Sequence, residues 1–281
     1  MKTKIGVIGA GTMGNGIAHV FAQHNYPVIL VDINSDFLKE SMHKISINMD
    51  RQVSKNLFSK ENKIHFLNNI STSTELDSLK SSNLVIEAVT ENFKIKSNIF
   101  STLDRICIDD TILASNTSSI SITKIGGQTE RPDRVIGMHF MNPVPMMKLV
   151  EVISGYFTSD ETVKKVSEIS NDLNKLPVQC NDYPGFVANR ILMPMINEAI
   201  FCKMEGVADT EAIDQIMKLG MAHPMGPLAL ADLIGLDICL AILEVLYKEF
   251  GDSKYRPCPL LKKMVDAGTL GRKVGQGFYK Y

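Results

Sequence analysis

The chain has 281 residues, long enough to bury one large hydrophobic core or two ordinary ones. Its 30 basic and 31 acidic side chains nearly cancel, and there is no long run of one sign, so we expect neither a nucleic-acid partner nor a membrane-surface partner. The first predicted strand follows Met1 at once, and no apolar run approaches the length of about 18 residues that a membrane span needs. The five scattered cysteines lack metal-ligand spacing. We therefore expect a cytoplasmic protein with reduced thiols and without a metal site.

A glycine-rich loop follows the first predicted strand, residues 5–8. It reads Gly9, Ala10, Gly11, Thr12, Met13, Gly14, which is the spacing G-x-G-x-x-G, and an apolar helical pattern comes after it. In a dinucleotide-binding βαβ unit, the first glycine permits a tight turn, the second lets the backbone approach a pyrophosphate, and the third lets the helix pack closely on the strand. The helix N-terminus then offers its N–H groups to the phosphates. The pattern predicts a dinucleotide site at residues 9–14.

The second predicted strand, residues 28–31, ends in Asp32. A carboxylate at this position accepts hydrogen bonds from the ribose of NAD and repels the 2′-phosphate of NADP. No arginine follows that could hold such a phosphate, so NAD is the favoured cofactor. The alternative is that Asp32 only caps the next helix, a task that Asn34 or Ser35 could also perform.

Strands and helices alternate through the rest of the first half. Helices are predicted over residues 35–56, 92–105 and 160–174, and strands over 83–89, 111–114, 134–138 and 148–153. The Asn/Ser-rich residues 68–83 are interpreted as a surface connection. This alternation predicts an α/β fold, a Rossmann-type mostly parallel sheet, for a domain of residues 1–184.

In the C-terminal third of the chain, the residue pattern predicts an all-helical domain over residues 185–281. Helical periodicity covers residues 186–203, 209–219, 228–249 and 258–267. The helix at 228–249 is apolar around most of its circumference, so it is either central in its own domain or buried against a second subunit. We favour a homodimer formed through this domain.

Polar residues follow the predicted strands at their carboxyl ends, which is where open parallel sheets bind ligands. The segments are residues 88–92, 115–119 and 139–143. Among them His139 can take and return a proton near neutral pH, as oxidation of an alcohol by NAD requires. Glu151 lies in an otherwise apolar strand, where a carboxylate needs a partner. We predict a His139–Glu151 pair, the alternatives being a structural histidine and an outward-facing glutamate.

Six motifs occur together in one order along the chain. They are residues 9–14, 115–119, 138–143 (MHFMNP), 185–190 (GFVANR), 223–227 (HPMGP) and 271–279 (GRKVGQGFY). Over essentially its whole length the chain resembles the L-3-hydroxyacyl-CoA dehydrogenases, and it is most similar to their bacterial 3-hydroxybutyryl-CoA members. The resemblance implies NAD-dependent oxidation of (S)-3-hydroxybutyryl-CoA to acetoacetyl-CoA, and the reverse reduction, with a CoA thioester as substrate.

The resemblance also implies roles for individual residues. His139 would be the general base with Glu151 as its partner, and Ser118 would bind the 3-oxygen of the substrate while Asn189 contacts the reacting group. The residues expected near the nicotinamide, its ribose or elsewhere on the cofactor are Glu91, Lys96, Ser118, Asn142 and Lys273. Lys55 would contact CoA.

The chain departs from the family pattern at two positions. Asn48 stands where the family has a serine that contacts CoA, and Met141 stands where it has a phenylalanine. The first change falls at one of the family's CoA contacts, while the second exchanges one large apolar side chain for another. Two other functions are compatible with the sequence: another two-domain NAD-dependent hydroxyacid dehydrogenase, and a non-catalytic, crystallin-like NAD-binding homologue.

Overall fold

The computed structural model describes residues 3–281, which divide into two compact units. The first unit ends at Asp182, and the second spans Tyr183–Tyr281. The sequence analysis placed this boundary between residues 184 and 185. The predicted fold class, a mostly parallel sheet with helices followed by an all-helical unit, is confirmed.

The first unit is built on one eight-stranded sheet. Its strands are β1 (Ile5–Ile8), β2 (Val28–Val31), β3 (Ile70–Ser73), β4 (Leu84–Glu87), β5 (Ile112–Ser115), β6 (Val135–Phe140), β7 (Leu149–Ser154) and β8 (Leu176–Asn181). Their order is β3-β2-β1-β4-β5-β6-β7-β8, and the first six are parallel. Strand β7 pairs antiparallel with β6, and β8 pairs parallel with β7. The strand order reverses between β1 and β4, which is the point where open α/β sheets bind ligands.

Two strands lie where the sequence analysis predicted none. Strand β3 falls within residues 68–83, which were interpreted as a connection, and β8 falls between the predicted helix 160–174 and the helical domain. Both are edge strands of the sheet. An edge strand is covered incompletely, so β3 has one buried residue, Ile70, and β8 has none, and neither carries an apolar run.

Six helices cover this sheet. They are α1 (Thr12–Gln23), α2 (Ser35–Ser54), α3 (Lys60–Asn68), α4 (Phe93–Ile106), α5 (Ile122–Gly126) and α6 (Asp160–Asp172). Helix α1 buries Ile17 and Phe21 against the central strands, whose Val7 and Leu30 are fully buried. This apolar core holds the glycine loop and the strand ends in fixed positions.

The second unit has its own core, formed by five helices. They are α7 (Ala188–Met204), α8 (Thr210–Gly220), α9 (Pro227–Ile234), α10 (Leu236–Phe250) and α11 (Pro259–Asp266). The single helix predicted over 228–249 is wrong, because Gly235 has φ 105° and separates α9 from α10. Leu228 and Leu243, one on each side of this break, are fully buried within the unit. Burial in its own domain therefore accounts for part of the apolar character of this segment, whose Leu233 and Ile238 are 49% and 45% exposed.

Among residues 3–281, no helix is both long and apolar enough to cross a membrane. Within the same residues, no group of three or more His, Cys, Asp or Glu side chains could hold a metal ion. The five cysteines are all free thiols.

His19, fully buried in α1, makes the stability of the first unit depend on pH. Burial lowers its pKa from 6.5 to about 4, so the unfolded chain binds a proton in this window that the folded chain does not. The free energy of unfolding should therefore fall as the pH drops from about 6.5 to about 4, by up to about 1.4 kcal/mol per pH unit from this group.

Urea unfolding of wild type and His19→Gln across this pH range measures the effect. The His19→Gln protein should lose stability less steeply with falling pH, whereas His65→Gln, at an exposed position on α3, should keep the wild-type slope. Equal slopes for wild type and His19→Gln would contradict the assignment.

Candidate active site

The glycine loop leaves the N-terminus of α1 open at the carboxyl end of β1. Gly9 has φ 100°, and a Cβ on Gly14 would overlap the carbonyl oxygen of Gly9. The N-cap residue of α1 is Gly11, which has no side chain to satisfy the first-turn N–H groups, and nothing lies within 4 Å of the place where its Cβ would be. The loop thus combines free donors with open space, as binding of a pyrophosphate requires.

Asp32 holds the loop at the end of β2. Its Oδ2 accepts a hydrogen bond from the backbone N–H of Ala10 at 2.8 Å, and its Oδ1 accepts one from Asn34 N–H at 3.1 Å. The side chain that caps α2 is Asn34, which accepts from Asp36 N–H. Asp32 is therefore not the cap of this helix, and its carboxylate lies beside the glycine loop.

A cavity of about 430 Å³ opens next to Asp32 and the glycine loop. Gly9, Gly11 and Asp32 form its polar side. The remaining lining is mainly apolar and includes Ile33, Phe37, Leu76, Val89, Ile95 and Ile99. The adenine ring of NAD would fit between such apolar side chains, with its ribose next to the Asp32 carboxylate. The residues present therefore suit the adenosine half of NAD.

The segments after β4 and β5 are joined through Glu91. Its Oε1 accepts hydrogen bonds from the backbone N–H of Ser118 at 2.7 Å and from the Ser118 hydroxyl at 3.1 Å. Its Oε2 accepts from the Thr117 hydroxyl at 2.8 Å and lies 3.7 Å from Nζ of Lys96. The structure thus brings three predicted site residues, Glu91, Lys96 and Ser118, into one cluster at the edge of the sheet.

His139 and Glu151 are direct neighbours across β6 and β7. The antiparallel register pairs their Cα atoms, and Nδ1 of His139 lies 2.7 Å from Oε2 of Glu151. The Glu151 side chain is 4% exposed and the His139 side chain is 12% exposed. A carboxylate so poorly hydrated stabilises a positive charge on the imidazole next to it. The arrangement can therefore hold one ring nitrogen in place beside a buried carboxylate.

Asn142 lies in the segment that follows β6 and lines a second cavity, of about 380 Å³. The other walls are the start of α1, residues 143–145, and the side of α2 that carries Lys44, Asn48 and Arg51. Lys175 fixes the 143–147 segment, because its buried ammonium donates to the carbonyl oxygens of Val144 and Met147. This cavity adjoins the glycine loop and has basic side chains at its rim.

Lys55, the CoA contact expected from the sequence, lies just beyond α2 as its C-cap and does not line this cavity. Arg51, about one helical turn earlier, does line it. Lys44 is already paired with Glu40 at 2.6 Å, whereas the Arg51 guanidinium donates to the amide oxygen of Asn48 at 3.3 Å. Arg51 was not among the contacts predicted from the sequence, although its position on the same helix face as Asn48 could have indicated it.

Two predicted site residues belong to the helical unit. Asn189 is buried in the first turn of α7. Lys273 lies in the C-terminal segment, and its ammonium is 2.6 Å from both carboxylate oxygens of Asp237. This ion pair is more than one-third exposed on both sides, so the lysine can exchange its partner at little cost.

The first unit as a whole defines a class of protein. A glycine loop at the switch point of a parallel sheet, an acid after the second strand, and a histidine–carboxylate pair at the same edge are the parts of an NAD-dependent oxidoreductase.

Comparisons with known proteins lead to the family. Residues 4–183 match the model of the 3-hydroxyacyl-CoA dehydrogenase NAD binding domain, and residues 185–281 match that of the 3-hydroxyacyl-CoA dehydrogenase C-terminal domain. The chain belongs to the 3-hydroxyacyl-CoA dehydrogenase family, and its cofactor is NAD.

Named relatives are similar over nearly the whole chain. The probable 3-hydroxybutyryl-CoA dehydrogenase of Bacillus subtilis is 54% identical, covering 99% of this chain and 97% of the relative. The 3-hydroxybutyryl-CoA dehydrogenase of Clostridioides difficile is 53% identical, covering 99% of each chain. Among solved structures, (S)-3-hydroxybutyryl-CoA dehydrogenase PaaH1 from Ralstonia eutropha is 50% identical with a TM-score of 0.97, covering 100% of this chain and 99% of that one.

The open space at Gly11 predicts a variant that folds normally but binds NADH more weakly. Gly11→Ala meets no protein atom and keeps an ordinary φ of −69°, so the melting temperature of the ligand-free protein should not change. The added methyl occupies the space needed by the pyrophosphate, and NADH should bind at least about tenfold more weakly.

Differential scanning fluorimetry and NADH fluorescence titration measure the two quantities. Gly220→Ala is the matched control, because nothing lies within 4 Å of its added Cβ and it is remote in sequence from the loop. Wild-type NADH affinity in Gly11→Ala would contradict this assignment of the pyrophosphate site.

Proposed function

We propose that the protein catalyses (S)-3-hydroxybutyryl-CoA + NAD⁺ ⇌ acetoacetyl-CoA + NADH + H⁺ in either direction. The observation that carries the proposal is the 2.7 Å contact between His139 and Glu151 at the ligand-binding edge of the sheet. The names of relatives 53% and 54% identical support the choice of substrate. NAD, when bound, exchanges a hydride with C3 of the substrate.

His139 takes the hydroxyl proton during oxidation and returns it during reduction. Glu151 accepts the Nδ1–H hydrogen bond, which directs Nε2 toward the proton that is exchanged. The imidazole becomes positively charged when it takes the proton, and the buried carboxylate stabilises that state. Glu151 therefore acts through orientation and charge and does not itself exchange a proton with the substrate.

The Ser118 hydroxyl binds the 3-oxygen of the substrate together with His139. In the structure this hydroxyl donates to Glu91, and it is able to turn toward a substrate oxygen because hydroxyl hydrogens rotate freely. Glu91, Lys96 and Asn142 lie around the nicotinamide end of the cofactor. Asn189 contacts the reacting group and Lys273 the cofactor, as the family resemblance implies.

The cavity between α1, α2 and residues 142–145 receives part of the CoA moiety. It adjoins the site and is basic at its rim, which suits a long, anionic ligand. Binding energy from these remote contacts holds C3 in the reactive position. We assign the main phosphate contact to Arg51, which lines the cavity, in place of Lys55, which does not.

The homodimer and the cytoplasmic location expected from the sequence stay predictions. The helical unit offers a surface for association, since Ile216, Leu219 and Met221, at and just beyond the end of α8, are all at least 60% exposed. Clustered apolar side chains of this kind are typical of subunit contacts.

The acid–base assignment predicts a graded loss of activity. In His139→Gln the rate of acetoacetyl-CoA reduction by NADH should fall at least about 100-fold, because no other group takes over the proton transfer. In Glu151→Gln it should fall less, about tenfold or more, since the imidazole remains but loses its charge partner.

Initial rates at saturating NADH test these values, with His65→Gln as an exposed histidine control that keeps wild-type activity. A wild-type protein inactive on acetoacetyl-CoA but active on a free hydroxyacid would favour the other dehydrogenase class. Inactivity on all such substrates with retained NADH binding would favour the non-catalytic homologue.

The CoA assignment distinguishes Arg51, in the last turn of α2, from Lys55, the C-cap just beyond it. Arg51→Ala should raise KM for acetoacetyl-CoA about tenfold, which is about 1.4 kcal/mol of lost binding, whereas Lys55→Ala should change it little. The KM for acetoacetyl-pantetheine, which lacks the nucleotide, should be the same in wild type and both variants. A large effect of Lys55→Ala with none for Arg51→Ala would reverse the assignment.

A further inference from the structure

Glu87, the last residue of β4, is a fully buried carboxylate to which the function above gives no role. In register it lies opposite Ser115 of β5, at the carboxyl edge of the sheet. Its Oε1 accepts hydrogen bonds from Val89 N–H at 2.7 Å and from Lys96 Nζ at 2.6 Å. Its Oε2 accepts from the Ser115 hydroxyl at 2.7 Å. The carboxylate is thus saturated with donors from three separate segments.

The ion pair of Glu87 and Lys96 is expensive to bury. The two side chains are 0% and 1% exposed, and removing two charges from water costs several kcal/mol per ion. A well-packed apolar pair would stabilise the fold as well or better. Stability alone therefore does not account for the burial of these two charges, which points to an effect on the groups around them.

Those neighbouring groups belong to the substrate end of the site. The Lys96 ammonium also lies 3.7 Å from Oε2 of Glu91, so it is shared by two carboxylates. Oε1 of Glu91 in turn accepts from both the backbone N–H and the hydroxyl of Ser118. A chain of contacts therefore links the buried carboxylate, through Lys96 and Glu91, to the Ser118 hydroxyl.

A second, shorter connection reaches the same segment through Ser115. The Ser115 hydroxyl donates to Glu87 and also accepts a hydrogen bond from Thr117 N–H at 3.3 Å. The Thr117 hydroxyl then accepts from the N–H groups of Ser119 and Ile120. Glu87 thus accepts a hydrogen bond from the start of the 115–120 segment, at Ser115. Glu91 accepts hydrogen bonds from the middle of the same segment, at Thr117 and Ser118.

We propose that Glu87 is a positioning residue that fixes the Ser118 hydroxyl for the 3-oxygen of the substrate, acting through Lys96 and Glu91 and through Ser115. The proposal rests on the function proposed above, in which Ser118 binds that oxygen. When the charge of Glu87 is lost, Glu91 becomes the nearest carboxylate to the Lys96 ammonium. The ammonium then draws Glu91 away from Ser118, and the hydroxyl loses its fixed orientation.

The first test is the kinetics of Glu87→Gln, which keeps the shape of the side chain and removes its charge. The kcat for acetoacetyl-CoA reduction should fall at least about tenfold, with KM for acetoacetyl-CoA changed less than about threefold. This split is expected because most substrate binding comes from the CoA moiety, whereas Ser118 acts on the reacting oxygen. An unchanged kcat in a folded variant would overturn the proposal.

The control for mere loss of an ion pair is Asp104→Asn. Asp104 pairs with Arg131 at 2.7 Å near the other end of α4 and is 10% exposed. This variant should lower the melting temperature and leave kcat unchanged. If Glu87→Gln behaves in the same way, its role is structural only and the proposal is wrong.

A double-mutant cycle with Ser118→Ala tests whether Glu87 acts on catalysis through the Ser118 hydroxyl. If Glu87 acts through Ser118, Glu87→Gln should reduce kcat less than about threefold in the Ser118→Ala background, far below its effect in wild type. Losses that multiply would mean that Glu87 acts elsewhere. If Glu87→Gln does not fold, Ser115→Ala serves as the second variant, because it removes one hydrogen bond to Glu87 without leaving an unpaired charge. Its effect on kcat should likewise be much smaller in the Ser118→Ala background than in wild type.

The outcomes also separate this proposal from the proposed function. A wild-type protein inactive on acetoacetyl-CoA, or a Ser118→Ala variant as active as wild type, would overturn the proposed function or its assignment of Ser118. A strong loss in Ser118→Ala together with multiplicative losses would leave the proposed function intact and overturn only the role of Glu87.

Discussion

Parallel pairing brings the carboxyl ends of β1, β4, β5 and β6 to one edge of the sheet, and the candidate site depends on this constraint. The glycine loop leaves β1, Glu87 ends β4, Ser115 ends β5 and His139 lies near the end of β6. The reversal of β7 is equally necessary, because only an antiparallel strand places Glu151, near its beginning, beside His139. Residues far apart in sequence thus meet through the register of the backbone hydrogen bonds.

Much of this arrangement was accessible from the sequence, for physical reasons that differ by residue. The glycine loop and Asp32 form a local pattern whose spacing the chemistry itself imposes. Glu151 was accessible because a carboxylate in an apolar strand requires a partner, and His139 was a suitable one. Glu87 in the strand LVIE carries the same signal, but its partners Lys96 and Ser115 gave no comparable indication in the sequence.

Other features depend on tertiary structure and escaped the sequence analysis. Edge strands such as β3 and β8 carry no apolar run because one side is solvated. Gly235 breaks an apolar helical pattern that is continuous in sequence. This break was not predicted because hydrophobic periodicity carries no information about the backbone conformation of a single residue. The choice between Arg51 and Lys55 depends on where α2 faces the cavity and where it ends, and single-residue boundaries are poorly predicted from sequence.

Asp32 combines two tasks, because the residue expected to select the cofactor also fixes the geometry of the glycine loop. The oxygen that accepts from Ala10 belongs to the same carboxylate that we expect to contact the ribose of NAD. Replacing this residue to admit NADP would therefore also remove the acceptor that anchors the glycine loop. A lineage that changed coenzyme would have to regain that anchor elsewhere, so the two traits are tied together in evolution as well as in space.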